Sequence, residues 1–189
     1  MKTISLLGTA ILLTLTFAAT ATASDEASDV FPIYCPTAHW TGGLTDCKCP
    51  SNTYMRNISF RMNGDGEKLT PTLGCSALLN IRTTGPTEAG NEVVWPNTGQ
   101  QATAKCDQNN LMTGYYLVNN GSKFKFTPLC TPVDGLTSKS VSGNEADTHN
   151  TGDVGTSRCP TNSLARGLWG INNYSTVFHF AIQCWEEAQ

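Results

Sequence analysis

Apolar and polar positions alternate with a period of two in several stretches of the chain. Ile58, Phe60 and Met62 alternate with Ser59 and Arg61, and Tyr115 and Leu117 with Tyr116 and Val118. Phe124 and Phe126 flank Lys125, and Phe178, Phe180 and Ile182 are separated by His179 and Ala181. A period of two places one face of a strand in a core and the other towards solvent. Each pair of such runs reads as a hairpin, with Asn63-Gly64 and Asn120-Gly121 suited to two-residue type I′ turns. Glycine and proline punctuate the remainder and no window carries a helical spacing, so the expected class is all-β.

The hairpins belong to an internal repeat. Starting from Cys49, Cys106 and Cys159, three stretches align without a gap through their first halves. Asn52, Asn109 and Asn162 follow the cysteine by three positions, and Asn63, Asn120 and Asn173 by fourteen. Lys48, Lys105 and Arg158 immediately precede it, and Thr41-Gly42, Thr98-Gly99 and Thr151-Gly152 lie a little further upstream. The stretches close at Cys75, Cys130 and Cys184, and GNE recurs at 90–92 and 143–145. The repeats cover about 33–75, 86–130 and 140–184 of one domain spanning 24–189. A unit of this length leaves part of its apolar face to be covered by its neighbours. Pseudo-threefold symmetry follows, as a β-prism of three sheets or, alternatively, a β-trefoil.

Residues 1–23 carry a Lys near the start, an apolar run over Leu6–Ala19 and a closing Ala21-Thr22-Ala23. This is the pattern of a secretion signal cut after Ala23, with no second apolar run to span a membrane. All eight cysteines lie beyond it, and an even number in a secreted chain favours disulfides. The simplest pairing that respects the repeats is Cys49–Cys75, Cys106–Cys130 and Cys159–Cys184, leaving Cys35–Cys47. Each repeat bond would staple the mouth of a hairpin. Three histidines and a single Cys-Lys-Cys give no usual zinc spacing, and no metal or other cofactor is expected.

The Trp-Thr-Gly and Asn-Thr-Gly elements, the Cys-Pro opening, Gly114 and Gly167 eight residues after their cysteines, and an apolar strand running into a final Cys together resemble vitelline membrane outer layer protein I. Repeat one has Asn57 where that pattern has Gly. The resemblance covers most of residues 33–185 and implies a three-repeat β-prism with four disulfides and a binding or coat role outside the cell. Dermatopontin, a second secreted family with cysteine-closed loops, is a weaker match.

A net charge of −3 with no basic stripe disfavours nucleic acid as a partner. Neither GxSxG nor HExxH is present; His39, His149 and His179 hold unrelated places, and the recurring Glu92 and Glu145 read as solvated turn residues. The expected role is therefore non-enzymatic: binding of glycans, extracellular matrix or cell-surface proteins, or a structural coat. Trp40, Trp95 and Trp169 are the candidate ligand-stacking residues, with three symmetric glycan sites as one arrangement; Trp185 is the fourth Trp. Asn57-Ile-Ser, Asn120-Gly-Ser and Asn173-Tyr-Ser are N-glycosylation sequons. The polar stretch 131–158 reads as a mobile loop through which a secreted inhibitor or host-interaction factor would act.

Overall fold

The computed structural model describes residues 30–39, 41–63, 68–120, 123–173 and 176–188, with Ser138 as backbone only. The signal segment 1–23 and Trp40 lie outside them. The described residues form strands and no helix. In chain order the strands are β1 (Phe31–Tyr34), β2 (Ala38–His39), β3 (Leu44–Lys48), β4 (Tyr54–Asn63), β5 (Lys68–Ser76), β6 (Arg82–Thr83), β7 (Glu88–Ala89) and β8 (Val93–Pro96). They continue with β9 (Thr98–Lys105), β10 (Asn110–Asn119), β11 (Lys123–Asp134), β12 (Leu136–His149), β13 (Thr151–Arg158), β14 (Ser163–Asn173) and β15 (Val177–Glu187).

The predicted hairpins are β4–β5, β10–β11 and β14–β15. Gly64 and Gly121, central to the two expected type I′ turns, lie outside the described residues. The four disulfides join Cys35 to Cys47, Cys49 to Cys75, Cys106 to Cys130 and Cys159 to Cys184, as the repeats imply.

Each hairpin is the centre of its own antiparallel sheet. The strand upstream in the same repeat lies along one side: β1 and β2 on β5, β7 and β8 on β11, β12 on β15. The other side is filled by a different repeat. β3 of repeat one pairs with β10 of repeat two, β9 of repeat two with β14 of repeat three, and β13 of repeat three with β4 of repeat one. Strand donation is thus cyclic, and no repeat completes its sheet alone.

One backbone hydrogen bond fixes each donation. The amides of Cys49, Cys106 and Cys159 donate to the carbonyls of Thr113, Arg166 and Arg56 at 2.7, 2.7 and 2.8 Å. These acceptors sit seven residues after the opening cysteine of the receiving repeat, at a β-bulge common to all three hairpins. The following residue must let the donated strand approach. A Cβ on Gly114 would lie 2.3 Å from the Cys47 carbonyl oxygen, and one on Gly167 would lie 2.7 Å from that of Ala104. Repeat one resolves the same crowding differently. Asn57 stands opposite Gly74, where a Cβ would meet Asn57 Oδ1 at 2.2 Å, whereas Gly114 and Gly167 face Leu129 and Gln183. Side chain and glycine have exchanged places across the ladder.

The shared Asn three residues after each cysteine is also a backbone requirement. Asn52, Asn109 and Asn162 have φ of 61°, 62° and 58°, the left-handed region that Asn tolerates better than most side chains.

The inward faces of the three sheets meet in one core. Phe60 of repeat one lies edge-on to Phe178 and Phe180 of repeat three at 5.4 and 4.9 Å, and Phe178 touches Trp95 and Phe124 of repeat two at 5.2 and 5.4 Å. A smaller cluster contains Tyr54, Leu111 and Leu164, each five residues after its opening cysteine, with Ile81, Val133 and Trp185.

The stretch 131–158 is not a loop: it holds the end of β11, then β12 and β13. Its polarity reflects strands whose outward faces are wet, with backbone groups satisfied by β15 and β4. The Asn144 side chain links the two strands, accepting from the Arg158 amide at 2.8 Å and donating to the Thr156 carbonyl at 2.8 Å. Apolar content alone therefore misreads this segment.

Candidate functional site

The junction where repeat one meets the sheet of repeat two forms an open groove of about 420 Å³. One wall is the Cys49–Tyr54 turn, held by the left-handed Asn52 and by Thr53, whose amide and hydroxyl both donate to the Pro50 carbonyl at 3.1 and 2.7 Å. The other wall is the outward face of β10 and β11, carrying Thr113, Tyr116 and Thr131.

A chain of hydroxyls runs across this wall. Thr87 Oγ1 and Thr131 Oγ1 are 2.6 Å apart, Thr131 and Thr113 are 2.9 Å apart, and Thr113 also donates to the Leu129 carbonyl at 3.4 Å. On the turn side the Tyr54 hydroxyl bonds Thr83 Oγ1 at 2.8 Å. Lys48 Nζ lies 5.8 Å from the centroid of the half-buried Tyr116 ring and 3.6 Å from Asp46. Among the described residues, no carboxylate lines the groove. Hydroxyls can each donate and accept, and an aromatic face tolerates aliphatic C–H groups, so the surface matches a neutral polyhydroxylated ligand.

The matching junctions carry different chemistry. Between repeat three and repeat one, a groove of about 460 Å³ is lined by Arg56, Asn57, Ser59, Thr72, Thr156 and Arg158, among others. Between repeat two and repeat three, the Arg166 guanidinium stacks on the Trp185 ring at 4.3 Å. Burial there lowers the Arg166 pKa from its ordinary value. Three like-positioned junctions thus present hydroxyls, arginines and a stacked Arg–Trp pair, not three equivalent sites. No protein-family model, curated protein or solved structure matches the chain.

Of the expected stacking tryptophans, Trp40 lies outside the described residues, and Trp95 and Trp169 stand in different settings. Trp95 is fully buried and donates its indole N–H to the Ala102 carbonyl at 2.8 Å, so its ring is core and closed to a ligand. Trp169 lies half-buried on the outward face of β14, opposite Thr103. Trp185 is buried in the smaller cluster. The residues that do gather, Thr83, Thr87, Thr113, Thr131 and Tyr116, carry no shared spacing; the usable signal was position, at the bulge and just after the closing cysteine.

The acid and base candidates are dispersed as well. Glu92 pairs with Lys125 at 3.0 Å, whereas Glu145 lies on the third sheet. His179 contacts its cross-strand partner Asp147 through Nδ1, and His149 lies 3.7 Å from Asp153. Thr151 donates to Asp153 at 3.0 Å, a hydroxyl on the carboxylate and not on the imidazole, which is not the order that activates a nucleophile. His39 is exposed on β2. Among the described residues, no group of three or more His, Cys, Asp or Glu could hold a metal ion.

The three sequons differ in setting. Asn120 and Asn173 stand at hairpin ends. Asn57 lies in mid-strand, paired on both sides, with its amide over Gly74 and its Ser59 hydroxyl bonded to Thr156 at 2.8 Å.

Proposed function

We propose that this is a secreted, non-enzymatic binding protein of β-prism type that takes a neutral segment of glycan in the groove between repeats one and two. The observation that carries the reading is the Thr87–Thr131–Thr113 hydroxyl chain beside the Tyr116 ring. Four disulfides fit an oxidising compartment. Three separate sheets joined by cyclic strand donation favour the prism over a trefoil. The donated strand and the disulfide hold both walls, so the groove needs little ordering on binding, which favours affinity.

The test is a broad glycan array probed with the wild-type protein and with Tyr116→Ala. The expected result is binding to neutral oligosaccharides that weakens about tenfold or more in the variant, a change worth about 1.4 kcal/mol. The melting temperature should stay within about 3 °C, since Tyr116 faces outward. Silence across the array, or binding indifferent to Tyr116, defeats the proposal.

A further inference from the structure

The groove between repeats three and one is lined by two arginines, Arg56 and Arg158. Arg56 is only 8% exposed. Its carbonyl accepts from Cys159, but its guanidinium has no hydrogen-bond or ion-pair partner among the described residues. Arg158, on the opposite wall, is exposed and likewise has no ion pair there. The two lie close by construction: Arg56 precedes Asn57, and Asn57 is the ladder partner of Arg158. Among the described residues no carboxylate lines the groove, and Asp153, on the same strand as Arg158, is committed to His149 and Thr151.

The other repeats show what this position normally does. Seven residues after its cysteine, repeat two has Thr113 bonded to Thr131, and repeat three has Arg166 stacked on Trp185. Thr131 and Trp185 each follow a closing cysteine directly, and the matching residue in repeat one is Ser76. Serine offers Arg56 neither a ring nor a carboxylate, and the buried Ser76 Oγ is itself without a hydrogen-bond partner among the described residues. Guanidinium groups that are almost wholly buried are ordinarily paired, because desolvating an unpaired charge is costly. One such buried fork and a second, exposed one on the same groove match an oxyanion, which each can hold through parallel N–H bonds.

We propose that this groove is an oxyanion seat, for a carboxylate, sulfate or phosphate group, formed by Arg56 and Arg158 where the donated strand β13 meets β4. It is distinct from the neutral groove, which is walled by the Cys49–Tyr54 turn and by β10 and β11 and is lined by no arginine among the described residues. The test titrates the full, disulfide-intact secreted protein with sodium sulfate, sodium phosphate and sodium glucuronate, each against sodium chloride at matched ionic strength. Amide resonances of Arg56, Asn57, Ser59 and Arg158 are followed by NMR. The expected result is saturable shifts with at least one oxyanion and none with chloride. A response confined to glucuronate identifies the carboxylate of an acidic sugar as the source; responses to sulfate or phosphate identify those inorganic groups or their esters. Arg158→Gln, at an exposed position, should weaken binding about tenfold or more while leaving the fold intact. Arg56→Lys, which keeps the charge and loses the fork, should weaken it as well. Absence of saturable shifts with all three oxyanions, or shifts unchanged in both variants, overturns the proposal. Tyr116→Ala should not alter these titrations, so failure here and failure of the glycan reading are separable.

Discussion

A methyl group added at Gly114 tests cyclic strand donation directly. Gly114 on β10 pairs with Lys48 on β3, a strand belonging to a different repeat. A Cβ there would lie 2.3 Å from the Cys47 carbonyl oxygen and 3.0 Å from Lys48 Cα. Non-bonded heavy atoms settle near about 3.5 Å, so one strand must retreat by about 1 Å. Forced overpacking costs about 1–3 kcal/mol. The retreat also stretches the 2.7 Å bond from the Cys49 amide to the Thr113 carbonyl, worth about 1 kcal/mol. Gly114→Ala should therefore destabilise by about 2–4 kcal/mol, a fall of about 4–16 °C in Tm for a domain of this size. Gly43→Ala is the control: it lies just upstream of β3, with nothing within 4 Å of its added Cβ, and should stay within about 0.5 kcal/mol. Urea unfolding with the disulfides intact measures both. If the two variants unfold at the same midpoint as wild type, β3 does not lie against β10 and the cyclic scheme is wrong.

Removing the Cys106–Cys130 bond by double substitution to Ser frees a separation of 24 residues and should cost about 3.5 kcal/mol by chain entropy, read as a lower Tm. Secreted from a eukaryotic host, the protein should carry glycan at Asn120 and Asn173 but not at Asn57, whose amide is folded onto Gly74; site-resolved mass spectrometry after deglycosylation decides this, and occupancy at Asn57 would contradict it. Tyr115 ionises well above its ordinary value because of burial and, secondarily, the Asp46 charge. The folded state then holds a proton that the unfolded chain releases, so stability is flat below about pH 10 and falls as pH rises beyond it. Tyr115→Phe should lessen this alkaline loss in thermal melts. It should also be neutral or stabilising at pH 7, since the buried hydroxyl has no hydrogen-bond partner among the described residues.

Much of the fold was legible because its signals are local or covalent. Period-two alternation marked Ile58, Phe60 and Met62 as inward, and they are fully buried. The cysteine spacing gave the pairing, because each repeat bond closes over its own hairpin. The Asn after each Cys-x-x had a local cause in its positive φ. The polar stretch 131–158 was misread for the converse reason: its strand character comes from β15, β4 and the Asn144 amide, all distant in sequence or dependent on tertiary packing.

By itself, then, the sequence determined an all-β chain of three disulfide-closed hairpins, since alternation and ring closure act within one repeat. Only the tertiary structure decided that each hairpin completes its sheet with a strand from another repeat. That choice also decided the grooves. The same backbone junction is built three times, but its chemistry follows the side chains placed there: Thr113 with Thr131 of repeat two beside the Cys49 turn of repeat one, Arg56 of repeat one with Arg158 of repeat three, and Arg166 stacked on Trp185 within repeat three. Trp95 shows the same rule from the inside. Its ring is spent on the faces of Phe126 and Phe178 from two different hairpins, a contact that depends on how the sheets close on one another and on nothing written next to it in the chain.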